Sequence, residues 1–281
     1  MKINLAKSAG FCFGVKKAIT TALETAKSEK SVFMLGDIVH NEEVVRQIRE
    51  TGIKKIRRLS SGECKTLLIR AHGCSRHTLE QALKLGYRII DATCPMVKEI
   101  HKIARKLENQ DYRIIIIGDK RHDEVMGIVG QLKSKAMVID KLQNMPLGKI
   151  KKIAKAGIVV QSTQNLDNVL AILELLRKYI PKIAFHNTIC NPTRIKQNEA
   201  KAMPLENSVM IIIGSKTSAN TKRIYEISKS LNPNSYWVNS AKEIKKSWLD
   251  NAKSVGITAG ASTPESSIKD VIAKIKTICP A

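Results

Sequence analysis

Cys12, Cys94 and Cys190 each follow a strand-like run and open a helical stretch. From each of them the same interval of 24 residues reaches a glycine that ends an apolar strand: Gly36, Gly118 and Gly214. Four residues beyond those glycines stand His40, His122 and Ser218. Three equivalent thiols in three equivalent frames can meet on one axis. A thiolate at a helix start is stabilised by the backbone N–H groups and the helix dipole, and soft thiolates favour an iron–sulfur cluster or zinc. A [4Fe–4S] cluster normally takes four cysteines. Held by three, it keeps one iron open to substrate, much as a catalytic zinc keeps an open position. Cys64, Cys74 and Cys279 have no counterparts in the other frames and read as structural.

A second layer lies beside the cysteines. The first strand ends supply His40, His122 and Ser218, and the second strand ends supply His72, Ser162 and Ser262. Imidazoles and hydroxyls at strand ends, with helix N-termini behind them, suit an anion such as phosphate. Glu124 and Asn220 stand at the same offset from Gly118 and Gly214, and Glu42 stands at that offset from Gly36. A carboxyl shielded from water has a raised pKa and can serve as a general acid. On spacing alone Glu42 and Glu124 are equal candidates.

These residues must be positioned by alternating strands and helices. The pattern predicts helices over 15–26, 42–49, 76–85, 97–107, 166–179, 195–202 and 265–277. It predicts strands over 32–35, 66–70, 87–91, 113–117, 157–160, 182–185, 209–213 and 255–258. That alternation implies parallel sheets with helical crossovers, where ligands gather at the carboxyl ends of the strands. The fold class expected is α/β, with three similar parallel-sheet units around a pseudo-threefold axis and a central cavity. The units run over 13–93, 94–189, and 190–281 plus 1–12. The third lacks a last strand of its own, and the strand over 2–6 is expected to complete it.

Lys and Arg number 48 against 25 Asp and Glu, a formal charge of +23. The basic residues are spread along the whole chain, as solvated faces or as a surface for an acidic partner. A nucleic-acid-binding iron–sulfur protein is disfavoured, because its basic elements would be displayed outward, whereas the His/Ser/Asn elements here converge at strand ends. A zinc hydrolase is disfavoured because three thiolates without a histidine make a poor hydrolytic site. No apolar run is long enough for a membrane helix and no signal-peptide pattern opens the chain. The expectation is a cytoplasmic protein with no membrane partner.

The stretches AGFCFGVKKAI, LGDIVHNEEVV, RAHGCS, DATCPMVKEIHK, GDKRHDEVMGIVGQ, VVQSTQ, GSKTSANTKR and GITAGASTPES occur in order from residue 9 to residue 266. Together they resemble the LytB/IspH family of 4-hydroxy-3-methylbut-2-enyl diphosphate reductases. The resemblance implies an oxidoreductase that makes isopentenyl and dimethylallyl diphosphates in the last step of the methylerythritol phosphate route. It implies a [4Fe–4S] cluster on Cys12, Cys94 and Cys190, and an allylic diphosphate bound by His40, His72, His122, Ser218, Asn220 and Ser262. It selects Glu124 over Glu42 as proton donor and gives Ser162 the substrate hydroxyl or Glu124 to bond. It further implies a ferredoxin or flavodoxin as electron donor and a monomeric chain. Two positions depart from the family pattern: Ala219 stands where serine is frequent, and Cys74 where an aliphatic residue is common.

Overall fold

A computed structural model describes residues 1–279. The chain opens with β1 (Lys2–Leu5), α1 (Phe13–Ser28), β2 (Val32–Leu35), α2 (Glu42–Glu50), β3 (Lys54–Ile56), β4 (Thr66–Ile69), α3 (Arg76–Lys84) and β5 (Arg88–Asp91). The middle carries α4 (Pro95–Glu108), β6 (Arg113–Ile117), α5 (Asp123–Val129), β7 (Met137–Ile139), α6 (Leu147–Ile150), β8 (Lys155–Val160), α7 (Leu166–Tyr179) and β9 (Lys182–Phe185). The last part carries α8 (Asn191–Glu206), β10 (Val209–Ile213), α9 (Ala219–Leu231), β11 (Ser235–Val238), β12 (Ser254–Ala259) and α10 (Glu265–Ile278).

The strands form three four-stranded sheets with the orders β3-β2-β4-β5, β7-β6-β8-β9 and β11-β10-β12-β1, every pairing parallel. The three orders are one order repeated. β1 takes in the last sheet the place that β5 and β9 take in theirs, pairing Leu5 with Ile257. The expected closure of the third sheet by the N-terminal strand is therefore observed.

The chain divides into two compact units. One contains Met1–Lys16, Val39–Gln47 and the chain from Asn191 onward, with the sheet that β1 completes; the other contains Lys17–Ile38 and Ile48–Cys190, with the remaining two sheets. Strand β6 shows why each sheet is covered on both faces. Ile115 and Ile117 pack with Val169, Ile172 and Leu176 of α7, while Ile114 and Ile116 pack with Ile100 and Ala104 of α4. A run of four isoleucines, all fully buried, is the signature of a parallel strand with helices on both sides.

Three edge strands, β3, β7 and β11, and the helices α5, α6 and α9 were not anticipated from the pattern. Strands β3 and β7 have three residues each, too few for a period to emerge. Helix α5 has seven. Among the described residues no helix is long and apolar enough to cross a membrane.

Candidate active site

Each of the three cysteines is fixed by one repeated backbone bond. The N–H of Cys12 donates to Ala261 O (3.1 Å), that of Cys94 to Ala71 O (3.0 Å) and that of Cys190 to Ser162 O (3.1 Å). The carbonyl in each case belongs to the second residue past a central strand, β12, β4 or β8. Each cysteine also stands at or just before a helix. Cys94 caps α4 with Pro95 at its first position, a residue whose missing N–H costs nothing there. Cys190 precedes α8 and Cys12 precedes α1. All six cysteines are thiols, and these three are half-buried. Soft, partly shielded thiols at helix starts fit an iron–sulfur centre. Cys74 differs: burial, with the charge of Asp91 adding to it, pushes its thiol up to about 11, which disfavours a ligating thiolate.

In the unit that holds the first two sheets, Glu124 lies in the first turn of α5 and is 2% exposed. Its Oε1 accepts from the Ser162 N–H and its Oε2 from the Ser162 hydroxyl, both at 2.6 Å. Burial raises its pKa, against the lowering effect of these two bonds. His122 caps α5: its Nδ1 accepts from the Glu124 N–H at 3.2 Å, so a neutral ring carries its proton on Nε2. The His72 and His122 rings meet edge to face at 5.5 Å. Arg70 pairs with Asp123 at 2.6 Å, joining the His72 strand end to the start of α5. Gly73 has φ +73°, and a Cβ there would lie 2.8 Å from His101 Cε1. The His72 turn can thus close over the buried His101 only with glycine.

The raised pKa has a consequence for stability. Folded Glu124 holds its proton to higher pH than the unfolded chain does. The associated stability is intact below the unfolded value of about 4.3 and is lost as pH rises through the folded value. Metal-free Glu124→Gln should therefore gain on the wild type as pH rises from about 5 to 8, by at most about 1.4 kcal/mol per pH unit. Urea midpoints across that range test this, and parallel pH curves for the two proteins would contradict it.

In the other unit, Ser218 caps α9, its Oγ accepting from the Thr221 N–H at 3.3 Å. Asn220, in the first turn, is 4% exposed, and neither its Oδ1 nor its Nδ2 has a hydrogen-bond partner among the described residues. A buried amide left in that state is costly and suits a polar ligand. Ala219 beside it adds no side-chain donor. Ser262 donates from Oγ to His40 O (2.9 Å), tying down the His40 turn. Asn41 supplies the cap of α2 by accepting from the Val44 N–H. Glu42, the rival acid, is exposed and accepts from Ser215 Oγ at 2.7 Å. Burial, which spacing could not reveal, separates the two acids.

Strand register corrects one part of the sequence reading. Ile117 pairs with Val160, and Ile213 with Ala259; Met34 pairs with Leu68, one residue earlier in the first sheet. Counting from these pairs and from the cysteine bonds, Ser162 occupies the position of Ala71 and Ala261. The residue in register with His72 and Ser262 is Thr163. Matching by hydroxyl type had set Ser162 in that place. Arg70 and Lys196 also escaped notice, since each acts through a contact between distant segments.

A family model described as LytB protein matches residues 3–276. The 4-hydroxy-3-methylbut-2-enyl diphosphate reductase of Geobacter metallireducens is 40% identical over 279 residues, covering 99% of this chain and 98% of that protein. The reductase of the same name from Aquifex aeolicus is 39% identical, covering 99% of this chain and 96% of its own. A solved structure of (E)-4-hydroxy-3-methyl-but-2-enyl diphosphate reductase, the terminal enzyme of the non-mevalonate pathway, is 38% identical, with a TM-score of 0.73 over 99% of this chain and 100% of that one. The reductase structure from Plasmodium falciparum is 27% identical, with a TM-score of 0.90 over 98% of this chain and 88% of its own. Matched by the family model over residues 3–276 and by relatives of 39–40% identity along nearly its whole length, the chain belongs to the LytB family.

Proposed function

We propose that this chain is an oxidoreductase that reduces 4-hydroxy-3-methylbut-2-enyl diphosphate to isopentenyl and dimethylallyl diphosphates. Two electrons and two protons enter, the allylic C–O bond breaks, and water leaves. The observation that carries the reading is the buried Glu124 carboxyl bonded to Ser162, in a chain related along its length to reductases of that name.

Cys12, Cys94 and Cys190 would hold a [4Fe–4S] cluster, each cysteine standing at a boundary between successive units of the proposed division 13–93, 94–189, and 190–281 plus 1–12. Bound there, the cluster would supply electrons and Lewis acidity. His40, His72, His122, Ser218, Asn220 and Ser262 bind the diphosphate, and the unpartnered Asn220 amide is the group most in need of a ligand. Glu124, whose pKa burial raises, gives its proton to the departing hydroxyl. Ser162 can relay it: once Oε2 carries the proton, the Ser162 hydroxyl accepts from it and donates its own onward. The bound diphosphate supplies the second proton. Anaerobic visible absorption, recorded with and without substrate, tests the metal assignment. An iron band perturbed by substrate supports it, and a colourless zinc protein overturns it.

The reading includes a monomer acting in the cytoplasm, reduced by an acidic ferredoxin or flavodoxin that the +23 charge attracts. Reduction by such a protein should slow steeply as salt rises from about 50 to 500 mM, while reduction by a small neutral reductant should not. Equal salt dependence for both would remove the electrostatic role.

A further inference from the structure

Lys196 belongs to the buried face of α8, with Thr193, Gln197, Ala200 and Pro204, and is 1% exposed. An ammonium in that position is tolerated only if all its protons are used. Its Nζ donates to Ser8 O, to Gly10 O (3.1 Å) and to Ala259 O (3.1 Å). These three carbonyls come from the turn that leads to Cys12 and from the last residue of β12. Gly10, at φ +92°, gives that turn a backbone shape few other residues adopt. One helical turn further along α8, Glu199 accepts from the Ser8 N–H and hydroxyl. The nearby charges that favour the ammonium are Cys12 and Glu199. Burial opposes them and lowers the lysine to about 8.

We propose that Lys196 is a positioning residue for Cys12: it clamps the Ser8–Gly10 turn to the end of β12 and sets a buried positive charge beside the Cys12 thiolate. With three carbonyl acceptors and no contacting carboxylate among the described residues, the ammonium's charge is uncompensated by a bonded partner. The charge is therefore available to a metal-bound thiolate and, beyond it, to a centre that must accept an electron. The electrostatic half of the proposal rests on the iron–sulfur reading; the clamp does not.

The test uses Lys196→Met, which keeps the stem and removes the charge and donors, and Lys196→Arg, which keeps the charge on a differently shaped head. In metal-free protein, hydrogen exchange at the amides of residues 8–12 should speed up about tenfold or more in Lys196→Met, with β6 and β8 unchanged. In the iron-loaded protein, the reduction potential should fall in Lys196→Met and stay near the wild-type value in Lys196→Arg. Unchanged exchange in Lys196→Met overturns the clamp, and an unchanged potential overturns the electrostatic role. If Lys196→Met does not fold, Lys196→Arg decides: a wild-type potential supports the charge assignment and a potential lowered despite the retained charge refutes it. A wild type that binds no iron would defeat the iron–sulfur reading while leaving the exchange result to judge the clamp.

Discussion

Alanine at Cys12, Cys94 or Cys190 should each abolish turnover and release iron, whereas alanine at Cys64 or Cys279 should do neither. The three sites are equivalent in their own frames: a backbone N–H held by the carbonyl two residues past a central strand, and a helix just beyond. Removal of one thiolate leaves a cluster with two protein ligands, too few to retain it against a chelator. The loss should exceed the roughly 10–100-fold that removal of an outer partner of a metal site costs. Cys74→Ala should also keep its iron, because a thiol pushed up to about 11 is not poised to ligate. Iron per chain and kcat for the six variants check this. Full iron and turnover in any one of the first three would remove that cysteine from the ligand set.

Glu124→Gln should lower kcat by about 10²–10⁴-fold, the usual worth of a positioned acid, with substrate affinity and iron content near wild type. The amide has the shape of the protonated acid, and its oxygen can still accept from the Ser162 N–H, so the surroundings of Oε1 should persist. It has no acidic proton to give. Glu42→Gln should stay within a few-fold of wild type, since Glu42 is exposed and its bond to Ser215 replaces one polar contact with water by another. Substrate titration and single-turnover rates on the three proteins separate binding from chemistry. Wild-type-like kcat in Glu124→Gln would end the acid assignment, and an equal loss in Glu42→Gln would reopen the choice between them.

Much of the fold was legible because the same interval recurs three times. The four-isoleucine run of β6 and the strand over Val209–Ile213 announce buried parallel strands, and the missing last strand of the third sheet pointed to the strand over 2–6. Residues whose meaning lies in register or long-range contact were not legible. Thr163, not Ser162, keeps step with His72, which only strand pairing reveals. Lys196 looked like one lysine among many until its three carbonyl acceptors, two of them more than 180 residues away in sequence, came together on it. Glu42 and Glu124 share an offset but not an environment, because one begins an exposed helix edge and the other faces Ser162.

The central claim is that this chain breaks an allylic C–O bond with two electrons and a proton from Glu124. The most direct measurement is anaerobic turnover of the iron-loaded protein with 4-hydroxy-3-methylbut-2-enyl diphosphate and a one-electron reductant, counting oxidised reductant against products. Isopentenyl and dimethylallyl diphosphates should appear together, with two electrons consumed per molecule of substrate lost. A protein that holds its iron and binds the diphosphate, yet returns it unchanged, would contradict the account.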